Sequence, residues 1–444
     1  MNRHRFLQLS GGGLAGLCLP SALLGSRGRP VKHPLQAATV DGARLERRMR
    51  TLASFGANSA GGIDRVAFSD ANVEALDWVA GLLTEAGFTT EIDLAGNLIA
   101  RKAGTDPELP PLMFGSHIDS VPGGGNYDGQ VGSMGSVEAA TTLADAGYAS
   151  RHPLEVAIFS NEEGGKTGSR ALVGEVEAFE LDIETASGFS IGEGLKRLGG
   201  DPNRLAEARR PHGSLAAFLE LHIEQGAVLD ADGIDIGVVE GIVGIMRWNV
   251  TVDGVTNHAG TTPMDRRADA MVGAARFVDL VHRTARETPG RQVATVGRLI
   301  AEPGVPNVIP GRVTATLEIR DLSMDGIVRL FDAIHGRTES IATEAHTTFS
   351  FDRFYTSRAA PTDERIQERV ADAAQELGLS ARGMPSGAGH DAQSIALIAP
   401  VGMIFVPSVA GISHAPEEHT SAADVTNGAN VLLHTLLAID AEGV

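Results

Sequence analysis

The chain has 444 residues, 43% of them hydrophobic, with 54 glycines and 20 prolines; it is long enough for two or three globular domains and has no collagen-like, coiled-coil or disordered bias. Its 56 acidic residues outnumber 37 basic ones for a net charge of −19, and no block of five or more basic residues occurs, which argues against a nucleic-acid footprint and against adhesion to an anionic membrane. The single cysteine, Cys18, excludes a disulfide framework, a thiolate zinc site and a cysteine nucleophile in the body of the chain, so any bound metal depends on His, Asp and Glu.

Residues 1–38 read as an export signal and leader: a basic start, a short apolar stretch broken by glycine and proline, then small residues. Arg3-His4-Arg5-Phe6-Leu7-Gln8 resembles a twin-arginine signal, with His4 in place of the second arginine. This points to a periplasmic protein, or to a cytoplasmic one where the signal does not function. Gly11, Gly13 and Gly16 spell G-x-G-x-x-G, but no strand precedes them and the dinucleotide reading fails. No other apolar stretch is long enough to cross a membrane, so no stable membrane insertion is expected.

From there, apolar runs of strand length alternate with segments of helical period, the pattern of an α/β protein. The spacing predicts helices near 73–86 and 133–146 and strands at 112–116 and 154–159. In FLELHIEQG, 218–226, Leu219, Leu221 and Ile223 alternate with Glu220, His222 and Glu224, which places His222 and both acids on one face of a strand. The rhythm changes near residue 245. Strand 247–254, helix 267–286, strands 293–300 and 312–320, helix 325–343 and strand 347–354 read β-α-β-β-α-β, the ferredoxin-like order. A helix at 364–377, a strand at 401–406 and a helix at 422–438 return to the first style. The expected organisation is one α/β domain in two parts, 39–244 and 357–444, interrupted by a domain at 245–356.

Five segments place metal-type side chains at strand ends or in glycine-rich loops: GSHIDS (His117, Asp119), GGGNYDG (Asp128), SNEEGG (Glu162, Glu163), ELHIEQG (His222) and GISHAPEE (His414). Imidazoles and carboxylates without thiolates suit zinc, manganese, cobalt or nickel, and one carboxylate can bridge two ions about 3.5–4 Å apart. Asp119, two residues after His117, is placed to fix that imidazole ring.

In this order, and with the inserted segment between the last two, these motifs resemble the M20 family of di-metal hydrolases. Within it the chain is similar to the amidase branch that includes N-carbamoyl-L-amino acid hydrolases, β-ureidopropionase and allantoate amidohydrolase. ELHIEQG, HAGTTPMDRRADA, NVIPG, SGAGHDA and GISHAPEEH carry this likeness. The resemblance implies a metal-dependent exopeptidase-like catalytic domain with a mixed sheet, interrupted by a ferredoxin-like lid and dimerisation domain. It implies two divalent ions per subunit, one held by His117, Asp128 and His222, the other by Asp128, Glu163 and His414, with Asp128 bridging. Lys166 departs from the family pattern, standing where many relatives carry arginine.

The adjacent glutamates then divide. A water between two divalent ions has its pKa lowered from about 15.7 towards 7, and Glu163 is expected to hold an ion while Glu162 takes the proton of that water and passes it to the leaving nitrogen. In related enzymes the histidine corresponding to His258 comes from the partner subunit of a homodimer and stabilises the oxyanion. Asp119 joins Glu162 and His258 among the expected catalytic residues. Arg320 is implied to grip a substrate carboxylate beside Asn307, with Gln225, Arg267 and His390 also lining the site. His152, His212 and His346 have no such company and read as structural. The expected activity is hydrolysis of a non-peptide C–N bond in a small carboxylate-bearing ureide, an N-carbamoyl-L-amino acid or allantoate, through a bridging hydroxide. The alternatives are an aminoacylase or dipeptidase, and a non-catalytic ureide-binding relative.

Overall fold

A computed structural model describes residues 38–444; the export-signal reading falls almost wholly on residues 1–37, outside the described residues. Among the described residues, no helix is long and apolar enough to cross a membrane. Two sheets organise the chain. The larger has nine strands and runs Thr89–Ile92, Leu98–Lys102, Leu154–Phe159, Leu112–His117, Ala217–Ile223, Val401–Val406, Ile236–Ile242 and Ala360–Pro361, with Ala381–Ser386 also pairing with Ile236–Ile242. Its four central strands, from Leu154–Phe159 to Val401–Val406, are mutually parallel, and antiparallel pairs flank them on both sides.

Both faces of this sheet are covered, which explains why its central strands are nearly continuous apolar runs. Phe114, Val156, Ile158, Leu219, Leu221 and Ile404 enter the larger core cluster, whereas Met113, Ala157, Phe159, Phe218, Met403 and Phe405 enter a second one. The period of two therefore sorts side chains between two cores rather than between core and water. The helix Gln130–Asp145 is buried from Gln130 through Leu143. Its small residues let it settle on the sheet: a Cβ at Gly132 would fall 2.0 Å from the Leu221 carbonyl oxygen.

The alternation in 218–226 is realised only as far as Ile223, where the strand ends. Glu220 and His222 are buried inside it. Glu224 leaves the expected face: its carboxylate accepts the backbone N–H groups of Val228 and Leu229 at 2.9 and 2.8 Å and starts the short helix Val228–Asp232.

The smaller sheet is antiparallel, in the order Thr348–Ser357, Gly244–Asp253, Arg312–Asp321, Val293–Glu302. With the helices Ala270–Glu287 and Met324–Ala345 it realises the β-α-β-β-α-β order. Asp269 and Ser323 cap these helices through side-chain acceptors. Gly244–Asp253 alternates buried and half-buried residues along its whole length, as one covered face requires. A core of Met246, Trp248, Val250, Phe277, Leu317 and Ile334 fills the space between sheet and helices. Elements outside the sequence expectations include the helix Gly42–Ser54 and the strands Thr89–Ile92, Leu98–Lys102, Ile236–Ile242 and Ala381–Ser386.

Candidate active site

The four parallel strands converge on one site at their carboxyl ends, where open α/β sheets place their ligands. His117 is the last residue of Leu112–His117, Glu162 and Glu163 follow Leu154–Phe159, His222 is the penultimate residue of Ala217–Ile223, and the loop after Val401–Val406 carries His414. Asp128 enters from the loop before the helix Gln130–Asp145, where Gly129 takes φ +69°.

Asp128 stands at the centre. Its Oδ1 lies 3.6 Å from His117 Nε2 and 3.2 Å from His222 Nε2, while its Oδ2 lies 3.2 Å from His414 Nε2. Glu163 Oε1 is 3.6 Å from His414 Nε2 on the same side. His117, Asp128 and His222 thus form one group whose ligand atoms all lie within 4.8 Å of one another, and Asp128, Glu163 and His414 form a second that shares Asp128. Glu162 belongs to neither; its Oε2 is 3.8 Å from His117 Nε2.

The imidazoles are held in the form that leaves Nε2 bare. His117 Nδ1 is 3.1 Å from the Asp119 carbonyl oxygen and His222 Nδ1 is 2.9 Å from that of Ile223, so each Nδ1–H donates to a backbone carbonyl. The Gly129 N–H, 3.2 Å from His222 Nε2, donates to that bare nitrogen. Asp119 fixes His117 more through its carbonyl than through its carboxylate, whose nearest oxygen is 3.6 Å away. Its carboxylate instead accepts the backbone N–H groups of Glu162 and Glu163 at 3.3 and 3.2 Å, setting the turn that presents both glutamates.

Burial and charge act together here. Burial pushes the Glu162 carboxyl up to about 7, and burial plus repulsion from Asp128 and Glu162 pushes Glu163 up to about 8. Burial would lower His117, but Glu162, Asp119 and Asp128 outweigh it and hold the imidazole well above its ordinary value. The Asp128 contact, joined by Glu163, lifts His414 to about 9. Conversely, burial would raise Asp128, and the imidazoles of His222, His117 and His414 hold it well below the carboxylate range. Raised glutamates and raised imidazoles alike mark a pocket short of positive charge. Two carboxylates, Asp128 and Glu163, with three imidazoles, all nitrogen and oxygen donors, fit divalent cations.

A third group, Glu220, His222 and His390, is also compact. It lies behind the first, and its donors are already used: Glu220 accepts Ser116 Oγ–H and Ala392 N–H, both at 2.9 Å, and His390 Nε2 contacts Ser386 Oγ at 2.7 Å.

Comparison with known proteins agrees with this geometry. Residues 113–438 match the model of peptidase family M20/M25/M40. An N-carbamoyl-L-amino acid amidohydrolase of Geobacillus stearothermophilus is 40% identical over 402 residues, 89% of this chain and 98% of that protein. The chain belongs to peptidase family M20. An allantoate amidohydrolase of Bacillus subtilis strain 168 is 34% identical over 393 residues, covering 87% of this chain and 94% of its own. A crystal structure of an amidase of the hydantoinase/carbamoylase family from Burkholderia multivorans superimposes with a TM-score of 0.85 at 36% identity, over 92% of this chain and all of that one. This M20 protein is therefore a hydrolase of the amidase branch, acting on carbon–nitrogen bonds other than peptide bonds.

A cavity of about 240 Å³ opens over Asp128, Glu162, Glu163, His222 and His414. Gln225 lines it and donates from Nε2 to Asp128 Oδ2. The remaining substrate-contact expectations fall elsewhere in this chain. His390 is buried behind the cavity, edge-on to His222 with ring centroids 4.4 Å apart. Arg320 binds Glu318 Oε1 at 2.7 Å and the Gly387 carbonyl, and does not line the cavity. Arg267 braces the His258 loop through the carbonyls of Thr262 and Ala259 at 3.1 and 2.6 Å. The Asn307 carbonyl accepts Ala259 N–H at 3.0 Å. His258 is exposed on a two-residue strand and lines no part of the cavity. His152 is structural as expected, its Nδ1 being 2.7 Å from the Pro110 carbonyl oxygen.

The sequence reading missed Glu418. Buried to 3% exposure, it accepts the N–H groups of Tyr127 at 2.8 Å and Asp128 at 3.0 Å on one oxygen, and Ser413 Oγ–H at 2.9 Å and His414 N–H at 3.3 Å on the other. The only sequence signal for it is its position at the end of HAPEE, four residues after His414.

Proposed function

We propose that this M20 hydrolase cleaves the ureide C–N bond of a small carboxylate-bearing substrate, an N-carbamoyl-L-amino acid or allantoate, releasing ammonia and carbon dioxide. The observation that carries this reading is the position of Asp128 between two ligand groups, with the unshared Glu162 beside them. His117, Asp128 and His222 would hold one divalent ion and Asp128, Glu163 and His414 the other. Zinc, manganese, cobalt and nickel all suit these donors. When bound, the ions supply Lewis acidity and a more acidic water.

The chain's own residues do the rest. Asp119 fixes the turn of the two glutamates and, through its carbonyl, the ring of His117. Glu162, shifted by burial to about 7, suits proton transfer in both directions near neutral pH. It accepts a proton from the attacking water and returns it to the leaving nitrogen. Gln225 orients Asp128 from the cavity side.

The oxyanion donor comes from a second subunit in this reading. His258 Nδ1 accepts the N–H groups of Gly260 and Thr261 at 3.0 and 3.2 Å, so its other nitrogen carries the hydrogen and is a donor. That donor is exposed and does not line the cavity of its own chain. The edge strand Val293–Glu302, with Val293, Leu299 and Ile300 exposed, offers the face on which a second copy would pair. Arg320 and Asn307 remain the proposed carboxylate grip of the assembled site.

The test is ammonia release by metal-reconstituted protein from N-carbamoyl-L-amino acids, allantoate and N-acyl-L-amino acids. Ammonia from the first two supports the reading. Release of free amine from N-acyl substrates without ammonia from ureides overturns it in favour of an aminoacylase or dipeptidase.

A further inference from the structure

Among the described residues, Lys166 is the only lysine or arginine on the wall of the cavity that holds Asp128, Glu162 and Glu163. Its backbone is held in the left-handed region, φ +58°, at the start of the helix Thr167–Val173. Lys166 N–H donates to the Glu162 carbonyl at 2.8 Å, so the base-bearing turn and the lysine are one rigid unit.

The ammonium has a fixed direction but few partners. It donates to Gln393 Oε1. Gln393 cannot turn its amide around without loss, because Nε2 donates to the Arg358 carbonyl at 2.6 Å while Arg358 in turn donates to the Gln393 carbonyl at 2.9 Å. The amide oxygen therefore faces the lysine. Among the described residues no carboxylate comes within ion-pair distance of Lys166; Glu162 and Asp391 attract its charge from farther away without bonding it. An ammonium has three donors, and the protein uses one. Room is left beside it by the SGAGH loop: a Cβ on Gly389 would come within 3.1 Å of Lys166 Nζ. Val243, Ile245 and Tyr355 also face the cavity, so a charged ligand there is partly shielded from water. Of the nearby cations, Arg320 is already engaged by Glu318 and the Gly387 carbonyl, and Arg358 by Glu175 and the Gln393 carbonyl.

We propose that Lys166 is a specificity-determining residue that binds a carboxylate of the substrate inside this cavity, selecting ureides that carry negative charge over neutral ones. The proposal rests on the ureide-hydrolysing function proposed above. It divides the recognition of charge between a cation fixed to the catalytic turn and the guanidinium of Arg320, which lies outside the cavity wall of its own chain. The carboxylate can be the α-carboxylate common to carbamoyl amino acids or that of an acidic side chain.

The experiment compares the metal-loaded full-length enzyme with its Lys166→Met and Lys166→Arg variants. KM and kcat are measured separately on N-carbamoyl-L-aspartate, N-carbamoyl-L-alanine and the neutral N-carbamoyl-L-alaninamide. Bound metal and thermal midpoint are recorded for each variant. Removing one charge-assisted contact is expected to raise KM by about tenfold to a hundredfold on the charged substrates. The amide should be unaffected, kcat should change little, and Lys166→Arg should recover most of the loss. An effect on both acids assigns the α-carboxylate to Lys166, and an effect on the aspartate derivative alone assigns the side chain. Equal changes on acid and amide, or none, overturn the proposal. Wild-type enzyme that releases ammonia from no ureide instead defeats the reading of function on which it rests.

Discussion

Glu418 holds Asp128 from behind: its Oε1 accepts the Asp128 backbone N–H at 3.0 Å, while its Oε2 accepts the His414 N–H at 3.3 Å. One buried carboxylate thus joins two loops 290 residues apart, each carrying a residue of the second ligand group. Glu418→Ala is expected to weaken divalent-ion binding by about 10–100-fold, the usual cost of losing an outer partner of a ligand. It also leaves buried N–H groups unpaired, at about 1–3 kcal/mol. Calorimetric titration of the metal-free variant with manganese or zinc checks this, and wild-type affinity would show that Asp128 and His414 hold their places unaided.

Glu162→Gln keeps the shape of the cavity and removes the proton acceptor. Metal content should stay at the wild-type level while ammonia release falls by at least about 10²–10⁴-fold. Near-normal turnover in a fully loaded variant would eliminate Glu162 as the base.

Gly129 packs directly against the ring of His117. It takes φ +69°, and a Cβ there would lie 2.2 Å from His117 Nε2. Gly129→Ala should therefore displace His117 from its ligand position, reduce bound metal and lower stability by about 1–3 kcal/mol through overpacking and strain. Elemental analysis together with a thermal melt reads both effects; unaltered metal content would mean that the loop yields rather than the histidine.

The subunit origin of His258 has a direct test. His258→Ala and Glu162→Gln, each inactive alone, are expected to regain activity when mixed, because a heterodimer contains one site with both native residues. Absence of recovery after subunit exchange has been confirmed by mass spectrometry would place His258 outside the catalytic apparatus of the neighbouring chain.

Away from the site, Glu155 is buried on the strand Leu154–Phe159 and binds Arg210 at 2.6 and 3.0 Å and Arg101 at 3.0 Å. Burial would raise its carboxyl, but Arg210 and Arg101 outweigh burial and hold it below its ordinary value. A depressed folded-state value contributes stability above the unfolded-state value and loses it as pH falls through the folded one. Arg210→Met should therefore cost about 3 kcal/mol at neutral pH, with the difference from wild type shrinking below about pH 4.5. Melting curves of both proteins between about pH 7 and pH 3.5 decide the matter, and a constant difference would assign the cost to packing alone.

Much of the fold was legible because burial has a period. The central strands are apolar runs bounded by glycine or polar turns, and Gly244–Asp253 alternates along its length, so pattern and structure coincide. Ala381–Ser386 was not legible. It contains Gly383 and Pro385, is exposed over its first half, and exists as a strand because Ile236–Ile242 supplies its partner. Glu224 misled for a related reason: its alternation continues past the strand end, where helix capping takes over.

The sequence by itself determined the donor set: histidines and carboxylates at five strand ends or loops, with no thiolate in the described chain, and therefore the chemistry open to the site. Only the tertiary structure decided the division of labour among them. Which acid lies between imidazoles and which stands apart depends on distances across strands far apart in sequence, so Asp128 meets His117, His222 and His414 while Glu162 stays outside both groups. Their surroundings then separate their charges, the imidazoles lowering Asp128 against its burial while burial raises Glu162, a difference that neither residue type nor spacing contains.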